Sequence, residues 1–192
     1  YGIPILYVNQ VGGNDSLLFD GRSCGINQSG EIVSEGPSFN QGSLLLELDK
    51  EQLKPAAEFK RIKPSSQMAT WEDEAIAALS MGLRDYTRKC GFTKVVIGLS
   101  GGIDSALTAT LAVKALGSEN VKGITMPSRY SSEGAAGDAH ELGKRLGIEV
   151  DSIAIEPMFK AFLQALEPIF EGHQPNVAEE NLQARIRGAV LM

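Results

Sequence analysis

Cysteine, histidine and tryptophan are scarce in this chain of 192 residues, which has 2, 2 and 1 of them, respectively. Two cysteines, Cys24 and Cys90, suggest neither a disulfide scaffold nor a cysteine zinc site. No apolar run reaches the ~18 residues of a membrane-spanning helix, and no signal peptide is visible. The net charge of −6 argues against a nucleic-acid-binding surface. We therefore expect a cytoplasmic protein without nucleic-acid or membrane partners.

The first 50 residues carry a pattern typical of β structure. Short apolar segments alternate with turns rich in glycine, asparagine and aspartate. The predicted strands cover residues 3–11, 17–19, 25–27, 31–33 and 43–48. Residues 51–69 contain Pro55 and Pro64 and show little periodicity, so we predict a linker there. The chain starts in a strand pattern and ends in a helical one, which fits a fragment or the ordered part of a longer protein.

From residue 70 onward, helical and strand patterns alternate. A helix is predicted from the N-cap Thr70 to about Cys90, with an apolar stripe that includes Leu79 and Tyr86. Strands at residues 95–97, 121–126 and 148–155 are each followed by a helical segment, and a last helix covers 179–192. Alternation of this kind predicts a parallel sheet covered by helices, with ligands bound beyond the carboxyl ends of its strands.

The strongest motif is the sequence SGGIDS at residues 100–105, between a β-branched strand and a helix with Ile103, Leu107 and Leu111 at intervals of four. Backbone N–H groups and the positive end of a helix dipole meet at such a turn and bind phosphate. The hydroxyls of Ser100 and Ser105 can add donors, and a carboxylate can hold a divalent cation. No Walker A motif is present. The alternative is an ordinary glycine turn before a packed helix.

This loop resembles the pyrophosphate loop of adenylating ATP pyrophosphatases. The sequence YVNQVGGND at 7–15 and the following FDGRS resemble the end of a nitrilase-type amidase domain, and ENLQARIR at 180–187 resembles a helix of NAD synthetases. Together they resemble glutamine-dependent NAD synthetases. The implied fold is α/β: a parallel-sheet, adenine-nucleotide alpha-hydrolase-like (Rossmann-like) synthetase domain, preceded by the β-rich end of a nitrilase-type α/β/β/α domain. The implied domains are residues 1–50 (amidase), 51–69 (linker) and 70–192 (synthetase).

The resemblance also implies site residues. ATP and pyrophosphate would be bound by Gly98, Leu99, Ser100, Gly101, Gly102, Ile103, Asp104, Ser105 and Met126. Deamido-NAD would be bound by Asn181, Gln183 and Arg185, and Mg²⁺ by Asp104. The glutaminase triad of the family lies outside the matched stretch, so none of its residues is assigned. A core role for Met126 and an amphipathic surface helix at 179–192 remain the alternatives.

The activity implied by the resemblance is ATP-dependent amidation of deamido-NAD through an adenylated intermediate. Glutamine or free ammonia supplies the nitrogen, and AMP and pyrophosphate are released. We expect ATP with Mg²⁺, deamido-NAD, and a homo-oligomer. Two other interpretations stay open: another ligase with the same pyrophosphate loop, and a nucleotide-binding fragment without turnover.

Overall fold

Strand pairing separates the chain into an antiparallel part and a parallel part. The structure is a computed structural model that describes residues 3–46, 70–129, 134–170 and 176–192. Its two compact units are Tyr1–Gly91 and Phe92–Met192. The predicted linker at 51–69 lies outside the described residues.

In the first unit, five short strands form two antiparallel sheets. Strands β1 (Ile5–Tyr7), β4 (Cys24–Ile26) and β5 (Ile32–Glu35) pair in the order β1-β4-β5. Strands β2 (Val11–Asn14) and β3 (Leu17–Asp20) form a separate hairpin. Asp15 in its turn has a φ of 52°, a left-handed conformation that aspartate tolerates.

The single strand expected at residues 3–11 is wrong, because the chain leaves one sheet near Asn9 and enters the other. The side chain of Asn9 donates to Asp20 Oδ1 at 2.9 Å, and its own backbone N–H donates to Ser23 Oγ at 3.0 Å. These bonds hold the crossing point and divide the apolar run into β1 and β2. Sequence periodicity does not contain this information.

The strand expected at 43–48 is not formed within residues 43–46, the part of that segment that the structure describes. Leu44 and Leu46 are half-buried and Leu45 is exposed, so the predicted alternation is present without a strand ladder. Leu46 packs over Gly25, where an added Cβ would lie 2.6 Å from the leucine Cδ1. Leu46 therefore packs on the middle of β4, the central strand of the β1-β4-β5 sheet.

Helix α1 (Trp71–Lys89) begins as predicted, with Thr70 accepting a hydrogen bond from the Asp73 amide. Its expected apolar stripe is wrong in part: Ile76 and Leu83 are half-buried, but Leu79 and Tyr86 are exposed. The buried residues of the helix are Ser80, Met81, Asp85 and Thr87. Asp85 faces the β2–β3 hairpin, where its Oδ2 accepts the Gly13 N–H at 2.9 Å. The helix thus docks on the hairpin through a buried carboxylate.

The second unit is built on a parallel sheet, which confirms the predicted α/β class. Its strands are β6 (Val95–Leu99), β7 (Val121–Thr125) and β8 (Glu149–Ser152), in the order β6-β7-β8. The helices are α2 (Ile103–Leu116), α3 (Ala135–Leu146), α4 (Glu156–Phe170) and α5 (Val177–Leu191). Pro168 is accommodated inside α4.

Two apolar clusters pack against this sheet. One joins Leu99, Ala109 and Ala139, and the other joins Met126, Ile155, Phe159 and Ile186. Ile155 and Phe159 are fully buried, and such burial contributes about 1.5–3 kcal/mol per side chain. Across the described residues, no helix has both the length and the apolar character needed to cross a membrane.

The apolar face predicted for α2 is wrong in part. Ile103 and Leu107 are 80% and 55% exposed, whereas Ala109 and Ala112 are buried. Alanines allow the helix backbone to approach the sheet closely, so the helix turns its small residues inward. The position of α2 follows from this close packing and not from its largest side chains.

Candidate functional site

The turn from β6 into α2 brings the predicted phosphate loop to the carboxyl end of the sheet. Gly101 has a φ of +80°, in the left-handed region. A Cβ added there would lie 2.7 Å from the Ala135 carbonyl oxygen and 2.9 Å from the Ala135 Cα. Both the conformation and the space at this position therefore require glycine.

The serines of the loop are hydrogen-bonded to each other and to the backbone. Ser105 Oγ accepts the Ser100 N–H at 3.2 Å and donates to the Gly102 carbonyl at 3.0 Å. Ser100 Oγ lies 3.1 Å from Ser105 Oγ and accepts the Gly102 N–H at 3.2 Å. These four contacts hold the loop in its turned conformation.

Helix α2 presents unpaired donors at this loop. Its hydrogen-bond ladder starts where the Ala106 N–H donates to the Gly102 carbonyl at 3.2 Å. The N–H groups of the first helical residues precede that bond and have no partner within the helix. Gly102, the N-cap, makes no side-chain cap. The arrangement suits an anion, because these donors and the helix dipole are directed at the same place.

A cavity of about 560 Å³ opens beside the loop at the ends of β6 and β7. It is bounded by the loop, by the turn after β7, by the start of α3 and by one face of α5. The lining residues are Gly98, Leu99, Ser100, Thr125, Met126, Pro127, Ala135, Ala136, Glu180, Gln183, Arg187 and Leu191. The lining combines apolar side chains with Ser100 of the loop and with Glu180, Gln183 and Arg187 of α5. Such a cavity suits a small organic ligand that carries charged groups.

The depth of the cavity depends on Gly98. A Cβ at this position would lie 3.2 Å from both Leu191 Cδ1 and Met126 Cε. The side chains of α5 and of the β7 turn therefore approach the backbone of β6 directly. Met126 is itself buried, and it belongs at once to the cavity wall and to the apolar core.

Sequence reasoning missed Ser128 and Arg187, which with Gln183 join α5 to the turn after β7. The hydroxyl of Ser128 donates to Gln183 Oε1 at 2.8 Å. Arg187 donates from Nη2 to Ser128 Oγ at 3.3 Å and from Nε to the Met126 carbonyl at 3.4 Å. Gln183 and Arg187 are four residues apart on one helix face, a spacing that the sequence displays as clearly as that of Asn181 and Arg185.

The three residues expected to bind deamido-NAD do not come together. Gln183 is buried at the cavity, whereas Asn181 and Arg185 are exposed. Neighbouring members of these two pairs are two positions apart and so roughly 200° apart around the helix. Asn181 and Arg185 therefore face away from the cavity that Gln183 lines.

The other predicted residues surround the loop. Gly98, Leu99, Ser100 and Met126 line the cavity, and Ser105 supports the loop from the first turn of α2. Ile103 and Asp104 are exposed in that same turn. Across the described part of the chain, no group of three or more acidic, histidine or cysteine side chains is arranged to hold a metal ion.

An ion pair joins Arg129, at the end of the turn after β7, to Glu156 at the start of α4. Arg129 donates from Nε to Glu156 Oε1 at 2.8 Å, and its guanidinium carbon lies 5.8 Å from the centroid of the Phe159 ring. Hydrogen bonding from Arg129 lowers the pKa of Glu156, against the opposing effect of burial. The pair ties the end of the turn to the start of α4.

A parallel α/β sheet with a turned glycine–serine loop, a helix N-terminus and a cavity at its carboxyl edge defines a nucleotide-binding domain. Comparison with known proteins narrows this class. The profile of the NAD synthase family matches residues 75–192. The chain belongs to the NAD synthase family.

Several curated relatives are similar over the whole chain. Glutamine-dependent NAD(+) synthetase from Synechocystis sp. is 46% identical over 192 residues, which are 100% of this chain and 34% of that protein. The protein of the same name from Thermotoga maritima is 42% identical, with 100% of this chain and 38% of the relative covered. The chain thus spans little more than a third of the length of these relatives.

Solved structures give the same result. Glutamine-dependent NAD+ synthetase from Acinetobacter baumannii, in complex with ADP, matches with a TM-score of 0.89 and 41% identity over 98% of this chain and 35% of that one. NH3-dependent NAD synthetase from Campylobacter jejuni matches with a TM-score of 0.56 and 32% identity, over 64% of this chain and 50% of its own.

Proposed function

We propose that this chain supplies the ATP-binding part of a glutamine-dependent NAD synthetase, which amidates deamido-NAD at the expense of ATP. The observation that carries the proposal is the preformed SGGIDS loop beside a cavity at the carboxyl end of the sheet. The structural relative from Acinetobacter baumannii, which binds ADP, supports an adenine nucleotide as the ligand.

The loop has the donors that a leaving pyrophosphate needs. The first N–H groups of α2 supply these donors, and Gly101 and Gly102 leave the backbone accessible. The hydroxyls of Ser100 and Ser105 hold the turn through their own hydrogen bonds. Because the loop is already held by its own hydrogen bonds, little reorganisation is needed as negative charge moves toward the β- and γ-phosphates. Preorganised donors of this kind stabilise the charge that develops in the transition state.

The residues present fit a magnesium ion that is held mainly by the nucleotide. Mg²⁺ in nucleotide sites is bound through one or two carboxylates together with phosphate oxygens and water. Asp104, exposed in the first turn of α2, would supply the carboxylate. When bound, the ion would neutralise phosphate charge. The chain's own contribution is to hold the loop and the carboxylate next to each other.

In the proposed reaction, a nicotinate carboxylate oxygen attacks the α-phosphorus of ATP, and pyrophosphate leaves. Ammonia then attacks the acyl carbon; AMP leaves with the transferred oxygen, and one proton is released. Adenylation is needed because a free carboxylate has no adequate leaving group. The contribution of the chain is positioning and charge neutralisation.

The proposal also covers the deamido-NAD site, the domain organisation and the location of the whole protein. Asn181 and Arg185 point away from the cavity, so we place deamido-NAD on the outer face of α5, where groups beyond the described residues would complete its site. Residues 1–50 would end an amidase domain that supplies ammonia from glutamine, residues 51–69 a linker, and 70–192 the start of the synthetase domain. Cytoplasmic location and homo-oligomerisation are part of the same proposal.

The test is calorimetric titration of the chain with ATP, with and without Mg²⁺. We expect binding that strengthens with Mg²⁺ and that loses this gain in Asp104→Asn. The matched control Asp15→Asn carries the same change in the hairpin turn of the other unit. No binding of ATP by the unaltered chain would contradict the proposal, and an unchanged magnesium effect in Asp104→Asn would contradict the metal role alone.

Substrate identity requires the complete protein. Pyrophosphate release from ATP should depend on added deamido-NAD, and free ammonia should replace glutamine as the nitrogen source. Release that proceeds equally with another carboxylate substrate would favour a different adenylating ligase.

A further inference from the structure

The amide of Gln183 is fixed in one orientation at the wall of the cavity. Gln183 is 3% exposed and lines the cavity. Its Oε1 accepts the Ser128 hydroxyl at 2.8 Å, and Ser128 Oγ in turn accepts from Arg187 at 3.3 Å. Because Ser128 engages Oε1, a hydrogen bond from this amide to a ligand would come from the NH₂ group.

The surroundings of Gln183 indicate which part of a nucleotide it meets. The phosphate donors lie at the Ser100 end of the site, whereas the wall near Gln183 includes Met126, Pro127 and Leu191. Glu180 and Arg187 also line this wall, and Arg187 is hydrogen-bonded to the Met126 carbonyl and to Ser128. A wall of apolar side chains with a few polar groups suits the base or the ribose. A buried NH₂ group loses its hydration when a ligand covers it. A ligand that places an acceptor opposite this group therefore binds more tightly than a ligand without one.

We propose that Gln183 is a specificity-determining residue that donates a hydrogen bond from its amide nitrogen to an acceptor on the nucleoside of bound ATP. Ser128 is the positioning residue that fixes the amide, and Arg187 holds Ser128. This inference rests on the proposed function for the identity of the nucleotide. It removes Gln183 from the deamido-NAD group in which the family resemblance placed it.

The first test uses the unaltered chain and ATP analogues that each lack one acceptor: the 1-deaza, 3-deaza and 7-deaza bases, and the 2′-deoxy and 3′-deoxy riboses. We expect one analogue to bind about 5- to 150-fold more weakly than ATP, the effect of leaving one buried donor unpaired. The analogue affected identifies base or ribose as the source of the acceptor. Equal affinity for ATP and all five analogues would overturn the inference.

The second test changes the protein. Gln183→Glu keeps an acceptor for Ser128 but removes the donor, so it should bind ATP at least about fivefold more weakly. Gln183→Met should lose the difference between ATP and the sensitive analogue. The same two changes at Gln164, an exposed glutamine of α4, are matched controls that should leave both affinities unchanged. Retained analogue discrimination in Gln183→Met would contradict the inference.

Ser128 is tested by its effect on discrimination. Ser128→Ala should reduce the preference for ATP over the sensitive analogue, and Ser128→Thr, which keeps a hydroxyl, should restore it. A purely structural role would change the affinity for ATP and for the analogue by the same factor, and this outcome would refute the positioning role. If the unaltered chain binds no ATP, the proposed function and this inference both fail; if ATP binds without analogue discrimination, only this inference fails.

Discussion

Replacement of Gly101 by alanine is the change that most directly tests how the phosphate loop is built. Gly101 and Gly91 have nearly the same backbone conformation, with φ values of +80° and +78°. A Cβ at Gly101 would lie 2.7 Å from the Ala135 carbonyl oxygen, whereas one at Gly91 would meet nothing within 4 Å. Gly91→Ala is therefore a control with the same conformational strain and no steric conflict.

The two contributions can be separated. A non-glycine residue in the left-handed conformation costs about 1–2 kcal/mol, and this applies at both positions. Forcing an extra methyl group into a packed contact adds about 1–3 kcal/mol, and this applies at Gly101 alone. We therefore expect Gly101→Ala to lower the free energy of opening around β6 and α2 by about 2–5 kcal/mol, against about 1–2 kcal/mol around Gly91.

Hydrogen exchange read by mass spectrometry is the suitable assay, because it reports opening free energies segment by segment in a chain with two units. Calorimetric titration with ATP should show strongly weakened binding for Gly101→Ala and unchanged binding for Gly91→Ala. Equal destabilisation of the two variants would refute the reasoning that the contact with Ala135 defines the loop.

Two further predictions concern charged side chains. Hydrogen bonding from Arg129 lowers the pKa of Glu156, so the folded state gains stability from this carboxylate above pH ~4.3 and loses it as pH falls through the lowered pKa. Glu156→Gln should therefore reduce the loss of thermal stability between pH 7 and pH 3, measured in unfolding scans. An unchanged loss of stability at acidic pH would contradict this. Asp85→Asn should weaken the bond to the β2–β3 hairpin and destabilise the first unit by about 1–3 kcal/mol in urea unfolding followed by the fluorescence of Trp71. Glu72→Gln, an exposed change on the same helix, should have little effect, and equal effects of the two changes would contradict a role for the buried contact.

Much of the second unit was predictable because its signals are local. The sequence VVIGLSGGIDS contains an apolar strand, a glycine turn and a helix start in eleven consecutive positions. Each step depends on neighbours in sequence, so the conformation follows from backbone preference and hydrogen bonding. The parallel arrangement followed in turn from the alternation of strands and helices, which permits few topologies.

Contacts between distant segments were not predictable. Arg187 reaches the Met126 carbonyl across 61 positions of sequence, and nothing in the helical spacing of α5 distinguishes its face from that of Asn181 and Arg185. The prediction of the buried face of α2 was wrong in part for a related reason. Its large apolar residues suggested burial, but the close approach of the helix to the sheet placed Ala109 and Ala112 on the buried face. In both cases the surface on which the helix packs determines which helix face is buried. The sequence of the helix itself does not specify that surface.

The domain division at residue 70 stays a prediction, and the structure adds a relevant fact. The family profile begins at residue 75, within α1, yet this helix packs on the β2–β3 hairpin and belongs to the unit that ends at Gly91. Sequence similarity follows common descent, whereas the compact unit follows packing. Asp85, buried against the hairpin amide of Gly13, provides the physical reason that the two criteria differ.

Small residues join the glycine–serine loop to the cavity, and in the proposed function they would couple the phosphate site to the nucleoside site. Gly101 of the loop packs on Ala135, and Ala135 and Ala136 also line the cavity that lies beside the loop. On the opposite wall, Gly98 admits Met126 and Leu191 to the backbone of β6. The start of α3 thus contacts the phosphate loop and the cavity together. A displacement of α3 would alter both the loop and the cavity. In the proposed function, the phosphate contacts and the nucleoside contacts would therefore both depend on the position of this one helix.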